Sequence, residues 1–175
     1  MKTITLAALS MAISTTALAE TVDVNKSSLN WYGSKITGDS HSGTIKLKEA
    51  KQKKGQWTFI ADLSTIDETN MKGEWKQKFL SHIKSKDFFD IKKFPVATLK
   101  VDKLDSGYLF GKLTIKGKSN DVTIPFTKKG NTYTGELGFD RTKYDMIYGS
   151  GNFFKNLGDK VISDTVKLQF NIVVK

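Results

Sequence analysis

The sequence predicts an all-β protein: an antiparallel meander of eight strands, able to close into a barrel, with short helical segments in one long connection. Three observations carry this. Apolar residues recur at every second position in eight separate stretches. Most of those stretches are joined by a few Gly, Asn, Asp, Ser or Lys residues. No repeat and no linker divides the chain.

The first nineteen residues, MKTITLAALSMAISTTALA, stand apart. Lys2 precedes a short apolar run, and Ala17-Leu18-Ala19 places small residues where a signal peptidase reads. The pattern predicts a secretory signal cleaved after Ala19. The run is too short and too rich in Ser and Thr to span a bilayer of about 30 Å. Residues 20–175 are then expected to form a single domain.

The elements follow in order. Leu29–Ile36 and Thr44–Glu49 are the first two strands, joined through Gly38 and Gly43, and Lys51–Gly55 reads as a polar turn. Gln56–Leu63 turns Trp57, Phe59, Ala61 and Leu63 to one face. Val96–Leu104 does the same with Ala97, Leu99 and Val101, and Asp105-Ser106-Gly107 turns into Tyr108–Ile115. Asp121–Thr127 puts Val122, Ile124 and Phe126 inward, with Pro125 marking an edge or a bulge. Thr132–Phe139 and Val161–Val174 complete the set, the last with Ile162, Val166, Leu168, Phe170, Ile172 and Val174 on one side. Such a barrel is either filled by its own side chains or holds one small ligand.

Two connections are long and aromatic. In Ser64–Phe94, the residues Trp75, Phe79 and Ile83 fall at i, i+4 and i+8, which predicts one apolar helix face. Ser85 or Asp87 can cap a second short turn carrying Phe88 and Phe89. Arg141–Lys160 carries Tyr144, Met146, Ile147, Tyr148, Phe153, Phe154 and Leu157 among glycines. Either these residues plug the barrel, or they form a binding surface.

Composition narrows the function. The formal charge is +10, yet Arg141 is the only arginine, and an exported chain does not meet nucleic acid. A lysine surface facing an anionic envelope is the expected meaning of that charge. With no cysteine and two histidines, disulfides and thiolate metal sites are excluded and no metal or cofactor is assigned. Gly117-Lys118-Ser119 lacks the spacing of a phosphate loop, and there is no Gly-x-Ser-x-Gly or His-Glu-x-x-His. No catalytic residue is assigned. His82 is read either as a donor to a ligand's polar head or as a half-exposed helix histidine. Arg141, between Asp140 and Asp145, is read either as a local ion pair or as a head-group clamp.

Several stretches together resemble one family. "FIADLSTID", "HIKSKDFFDIKKFPVATLKV", "LFGKLTIKGKSNDVTIPF" and "FDRTKYDMIYGSGNFFKNLGDKVISDTVKLQFNI" are similar to YceI-like proteins. The pattern at His82–Pro95 is the most specific part, followed by Gly111–Gly117, and the start fits a subgroup with Gly-x-x-His-x-Gly at Gly38–Gly43. The resemblance implies a periplasmic, lipocalin-like barrel enclosing a tunnel for a long-chain lipid: a polyisoprenoid, a quinone or a fatty-acid amide. It turns the aromatic connections into the mouth and lid of that tunnel. Read so, the ligand-binding candidates are Trp31, Trp75, Phe79, His82, Ile83, Phe88, Phe89, Phe139, Arg141, Tyr144, Tyr148, Phe153 and Phe154. The expected partners are the lipid and, transiently, an anionic membrane surface. The oligomeric state is left open, a dimer being compatible. The alternatives are a hydrolase acting on such a lipid through His82, and a solid barrel that meets the envelope only through its lysines.

Overall fold

The computed structural model describes residues 21–175. The leader reading falls outside them. Eight antiparallel strands close into a barrel in sequence order: β1 Ser28–Ser34, β2 Ser40–Lys53, β3 Gln56–Glu68, β4 Val96–Asp105, β5 Tyr108–Ile115, β6 Lys118–Lys129, β7 Thr132–Asp140 and β8 Thr165–Val173. β1 pairs with β8, so no strand edge is left open. One helix, α1 (Gly73–Lys84), lies in the β3–β4 connection.

Two ends result. At the hairpin end, β2–β3, β4–β5 and β6–β7 are joined by tight turns. In two of these a residue and its following glycine both take positive φ: Lys54-Gly55 and Ser106-Gly107. That is the turn geometry whose twist matches paired strands. At the opposite, loop end lie α1, the segment after it, and the β7–β8 connection with its 3₁₀ turns at Arg141–Tyr144 and Gly158–Lys160.

Several boundaries move from the sequence reading, each for a physical reason. β2 continues through Lys51, so the turn is Lys54-Gly55 alone. β3 runs on to Glu68 through a bulge: Thr44 pairs with Asp67 and Lys46 with Asp62, leaving Leu63–Ile66 opposite Ile45. The hydroxyl of Thr65 holds that bulge, accepting from the Lys46 amide at 2.9 Å and donating to the Asp62 carbonyl at 2.6 Å. Both Leu63 and Ile66 thereby reach the interior. β8 starts only at Thr165, because Ile162, Ser163 and Asp164 are bound to Arg141. Pro125 marks neither an edge nor a bulge; it ends the β6–β7 ladder, which runs only from Phe126 to Lys129, since proline has no N–H to donate.

The helix forms where its spacing predicts. Glu74 and Lys84 sit at the ends that complement the helix dipole, and Glu74 pairs with Lys78 at 2.8 Å. Its apolar stripe is incomplete, however. Ile83 is buried, whereas Trp75 is 71% exposed beneath the ammonium of Lys78. Steps of four residues overshoot a 3.6-residue turn by roughly 40° each, so two steps carry Trp75 off the buried face. The segment carrying Phe88 and Phe89 is a turn rather than a helix. Ser85 closes it, its carbonyl accepting from the Phe88 amide and its hydroxyl from the Asp87 amide.

Candidate functional site

The inward faces of all eight strands enclose an apolar cavity of about 190 Å³. Towards the loop end it is bounded by Trp31, Leu63, Phe89, Ile115 and Phe139, and towards the hairpin end by Trp57, Leu104, Phe126, Tyr133 and Val174. None of its lining residues carries a charge, and Thr98 and Tyr133 bring the only hydroxyls. This space exceeds the roughly 150 Å³ that admits one benzene ring, but falls short of the roughly 300–1,000 Å³ of drug-sized pockets. Trp57, Phe59, Phe126, Phe139 and Phe170 are half-buried rings in the same interior. Gly135 faces inward beside them, where a Cβ would stand 2.5 Å from the Phe170 ring and 2.3 Å from the Pro125 carbonyl oxygen. The missing side chain is what makes room for that ring.

Of the thirteen candidates, the structure places Trp31, Phe89 and Phe139 on the cavity wall. The others lie elsewhere. The loop end is a plug: Ile83, Tyr144 and Met146 are buried there, and Tyr144 packs edge-on against Phe139 at 5.7 Å. Phe79 stacks on Trp31 at 6.2 Å and meets the His41 ring at a tilt, 4.4 Å away. The indole nitrogen of Trp31 donates to the Asp67 carbonyl at 2.9 Å across Gly43, where a Cβ would stand 1.8 Å from that oxygen. Trp75, Tyr148, Phe153 and Phe154 are exposed.

Arg141 organises the plug. It is 2% exposed. Its Nε donates to the Ser163 carbonyl at 2.9 Å, Nη1 to the carbonyls of Met146 and Tyr148, and Nη2 to that of Ile162 at 3.1 Å. Nη2 also faces Asp164 Oδ1 at 3.2 Å. Four hydrogen bonds to carbonyls and an ion pair with Asp164, all from its own connection, thus hold the guanidinium inside the plug. Burial pulls the guanidinium below its ordinary pKa, with Asp164 and Asp140 opposing.

His82 ties the two connections together. Its Nε2 lies 3.3 Å from Asp87 Oδ2, and its ring meets Phe88 and Tyr148 edge-on at 5.2 and 4.6 Å. Phe88 in turn lies under the Arg141 guanidinium, 6.0 Å away. The His82–Pro95 motif is therefore the fastening of the plug, with only Phe89 reaching the cavity.

The loop aromatics drew attention in the sequence away from Leu29, Leu47, Leu109, Leu113 and Leu137, which line the cavity. The signal that finds such residues is strand alternation, which already turned Trp57, Phe59, Ala61, Leu99, Ile124 and Phe170 inward. Leu104 needed one more step: the register shift between Val101 and Lys103 returns it to the inner face.

A closed antiparallel barrel of eight strands with a charge-free interior is the architecture of a lipocalin-like protein. The YceI-like domain profile matches residues 21–174, and the chain belongs to that family. Among solved structures, BcnA of Burkholderia cenocepacia is 24% identical, with a TM-score of 0.60 over 88% of this chain and 99% of its own. A polyisoprenoid-binding domain from Saccharophagus degradans, implicated in plant cell wall breakdown, is 18% identical, with a TM-score of 0.67 over 90% and 98%. The YceI protein of Campylobacter jejuni is also 18% identical, with a TM-score of 0.50 over 100% and 99%. At these identities the likeness is one of fold. No curated protein matches the sequence.

Proposed function

We propose that this chain is an exported, periplasmic carrier that holds a long-chain apolar lipid inside the barrel, without covalent chemistry. The observation that carries this is the interior: an enclosed space walled by aliphatic and aromatic side chains and free of charge. A solved relative of the same fold is a polyisoprenoid-binding domain, which supports a polyisoprenoid, quinone or fatty-acyl ligand here.

The energetics suit such a ligand. Each buried methylene contributes about 0.8 kcal/mol, so about ten give a gross 8 kcal/mol, the size of a micromolar affinity. Polar chemistry is not required. Chain length is governed by the rings inside: a tail of tens of carbons is longer than a 190 Å³ space, and Phe59, Phe126 and Phe170 are the side chains that must turn to admit it.

The hydrolase reading has less support. His82 and Asp87 sit outside the cavity wall, with Phe88 and Tyr148 around the imidazole. Lysine-mediated contact with an anionic membrane fits the +10 charge, and nucleic acid is not a partner in this reading.

The test is solvent extraction of native protein followed by mass spectrometry. A stoichiometric long-chain lipid is expected. No extractable lipid, together with no uptake of an apolar fluorescent probe, would leave the solid barrel standing instead.

A further inference from the structure

The two ends of the barrel differ in a way that orients the molecule. The loop end is closed by the Arg141 plug and by Ile83, Phe88 and Phe89. At the hairpin end, Leu104 is the one cavity-lining residue that is exposed, at 49%, and Tyr108 beside it is 47% exposed. The cavity wall therefore reaches the surface at the β4–β5 hairpin.

The charge around that point is one-sided. The three hairpin tips, residues 51–58, 103–108 and 127–132, hold six lysines and one carboxylate, Asp105. Asp105 is engaged by Lys103 at 3.3 Å, and Lys51 by Glu49 at 2.8 Å. Lys53, Lys54 and Lys129 are exposed at the tips, with no carboxylate in salt-bridge reach among the described residues. The loop-end connections carry a similar positive excess, thirteen basic residues against seven acidic ones, but there it is broken up by carboxylates. The closed topology sets all three tips around one rim.

We propose that the hairpin end docks on an anionic bilayer surface, with Lys53, Lys54 and Lys129 against the lipid headgroups and Leu104 and Tyr108 at the interface. This rests on the carrier reading for its purpose, since it sets the end where the cavity wall reaches the surface, at Leu104, against the membrane that supplies or receives the lipid. The electrostatics stand alone: each lysine near an anionic surface contributes about fivefold in binding, and the attraction fades within a Debye length of about 10 Å at 0.1 M salt.

The competing face is the loop end, where Phe153 and Phe154 are 56% and 43% exposed near Lys155. Flotation with vesicles of phosphatidylcholine and phosphatidylglycerol in equal parts, against phosphatidylcholine alone, separates the two. The native protein is expected on the anionic vesicles only, and to leave them as salt rises. The triple variant Lys53→Glu, Lys54→Glu, Lys129→Glu is expected to lose at least tenfold in binding, while Phe153→Ser with Phe154→Ser binds as before. Loss in the loop variant with retention in the lysine variant would overturn the assignment, as would equal binding to both vesicle types. The changed lysines lie at exposed turns, and circular dichroism confirms the fold of each variant. Lipid recovered by solvent extraction from the native protein and the lysine variant reads the carrier proposal separately: docking lost with lipid retained in the variant supports the surface, and docking by a native protein that yields no lipid removes the carrier reading alone.

Discussion

Ala61 of β3 and Ala97 of β4 are register partners, and both turn their methyl groups into the cavity. Two of the smallest side chains thus face each other on a wall built mostly of larger aliphatic side chains and aromatic rings. Much of the room inside the barrel is set by what these two positions lack.

Filling that point should close the cavity. Ala97→Phe is expected to abolish uptake of an apolar probe and to lower the lipid recovered on extraction, at an overpacking cost of about 1–3 kcal/mol. Urea denaturation measures the cost and probe titration the binding. Undiminished uptake in a folded variant would mean that the ligand sits elsewhere. Gly135 is a poorer choice for this test, since a Cβ there collides with backbone as well as with Phe170.

The three tryptophans report on the site unequally. Trp31 and Trp57 line the cavity, and Trp75 is exposed on α1. A conjugated-polyene fatty acid bound inside should quench the first two far more than the third. Trp75→Phe is then expected to raise the fractional quenching, and Trp57→Phe to reduce it. The opposite order would place the ligand on the helix.

Arg141 is expected to matter for stability and not for ligand choice. Arg141→Ala strips four carbonyls of a donor and Asp164 of its counter-charge, and losses of this kind run to about 3–5 kcal/mol. Arg141→Lys should recover little, because three N–H groups on a flexible stem cannot reproduce a planar fork with five. Thermal unfolding tests both. A fully stable Arg141→Ala protein with weakened affinity for anionic lipids would restore the head-group role.

Alkaline pH should loosen the plug through Tyr144. Burial holds its phenol above the ordinary pKa, against the opposing hydrogen bond with Asn120. The folded protein therefore keeps that proton where the unfolded chain, with tyrosines near about 10, has released it. The contribution is whole below about pH 10 and is lost as pH rises towards the folded value. Denaturant midpoints followed upwards from neutral pH should fall less steeply in Tyr144→Phe than in the native protein. Identical slopes would acquit the phenol.

The placement of Trp31 shows how far the sequence reached. The sequence reading gives Leu29–Ile36 as a strand and Trp31 as a ligand-binding candidate, and the structure puts both Leu29 and Trp31 on the inner face. That its indole nitrogen would bond Asp67, with Gly43 emptied to allow the approach, depended on a register between β2 and β3 that a bulge of four residues sets. His41 sits there too, its Nδ1 3.6 Å from the fully buried Glu68 carboxylate. Nothing in the local pattern announced that pairing.

By itself the sequence determined the eight strands, their order, and the apolar face of those at 56–63, 96–101, 121–127 and 166–174. Those follow from the pleat, which sends alternate side chains to opposite sides of any strand whatever its partners. The tertiary structure decided where the aromatics of the two long connections go, and with them which end of the barrel is shut. Phe88, Tyr144, Tyr148 and Arg141 have no period to read. Their places come from contacts among α1, the turn at Ser85–Phe89 and the β7–β8 connection, segments distant in the chain that meet only once the barrel has closed.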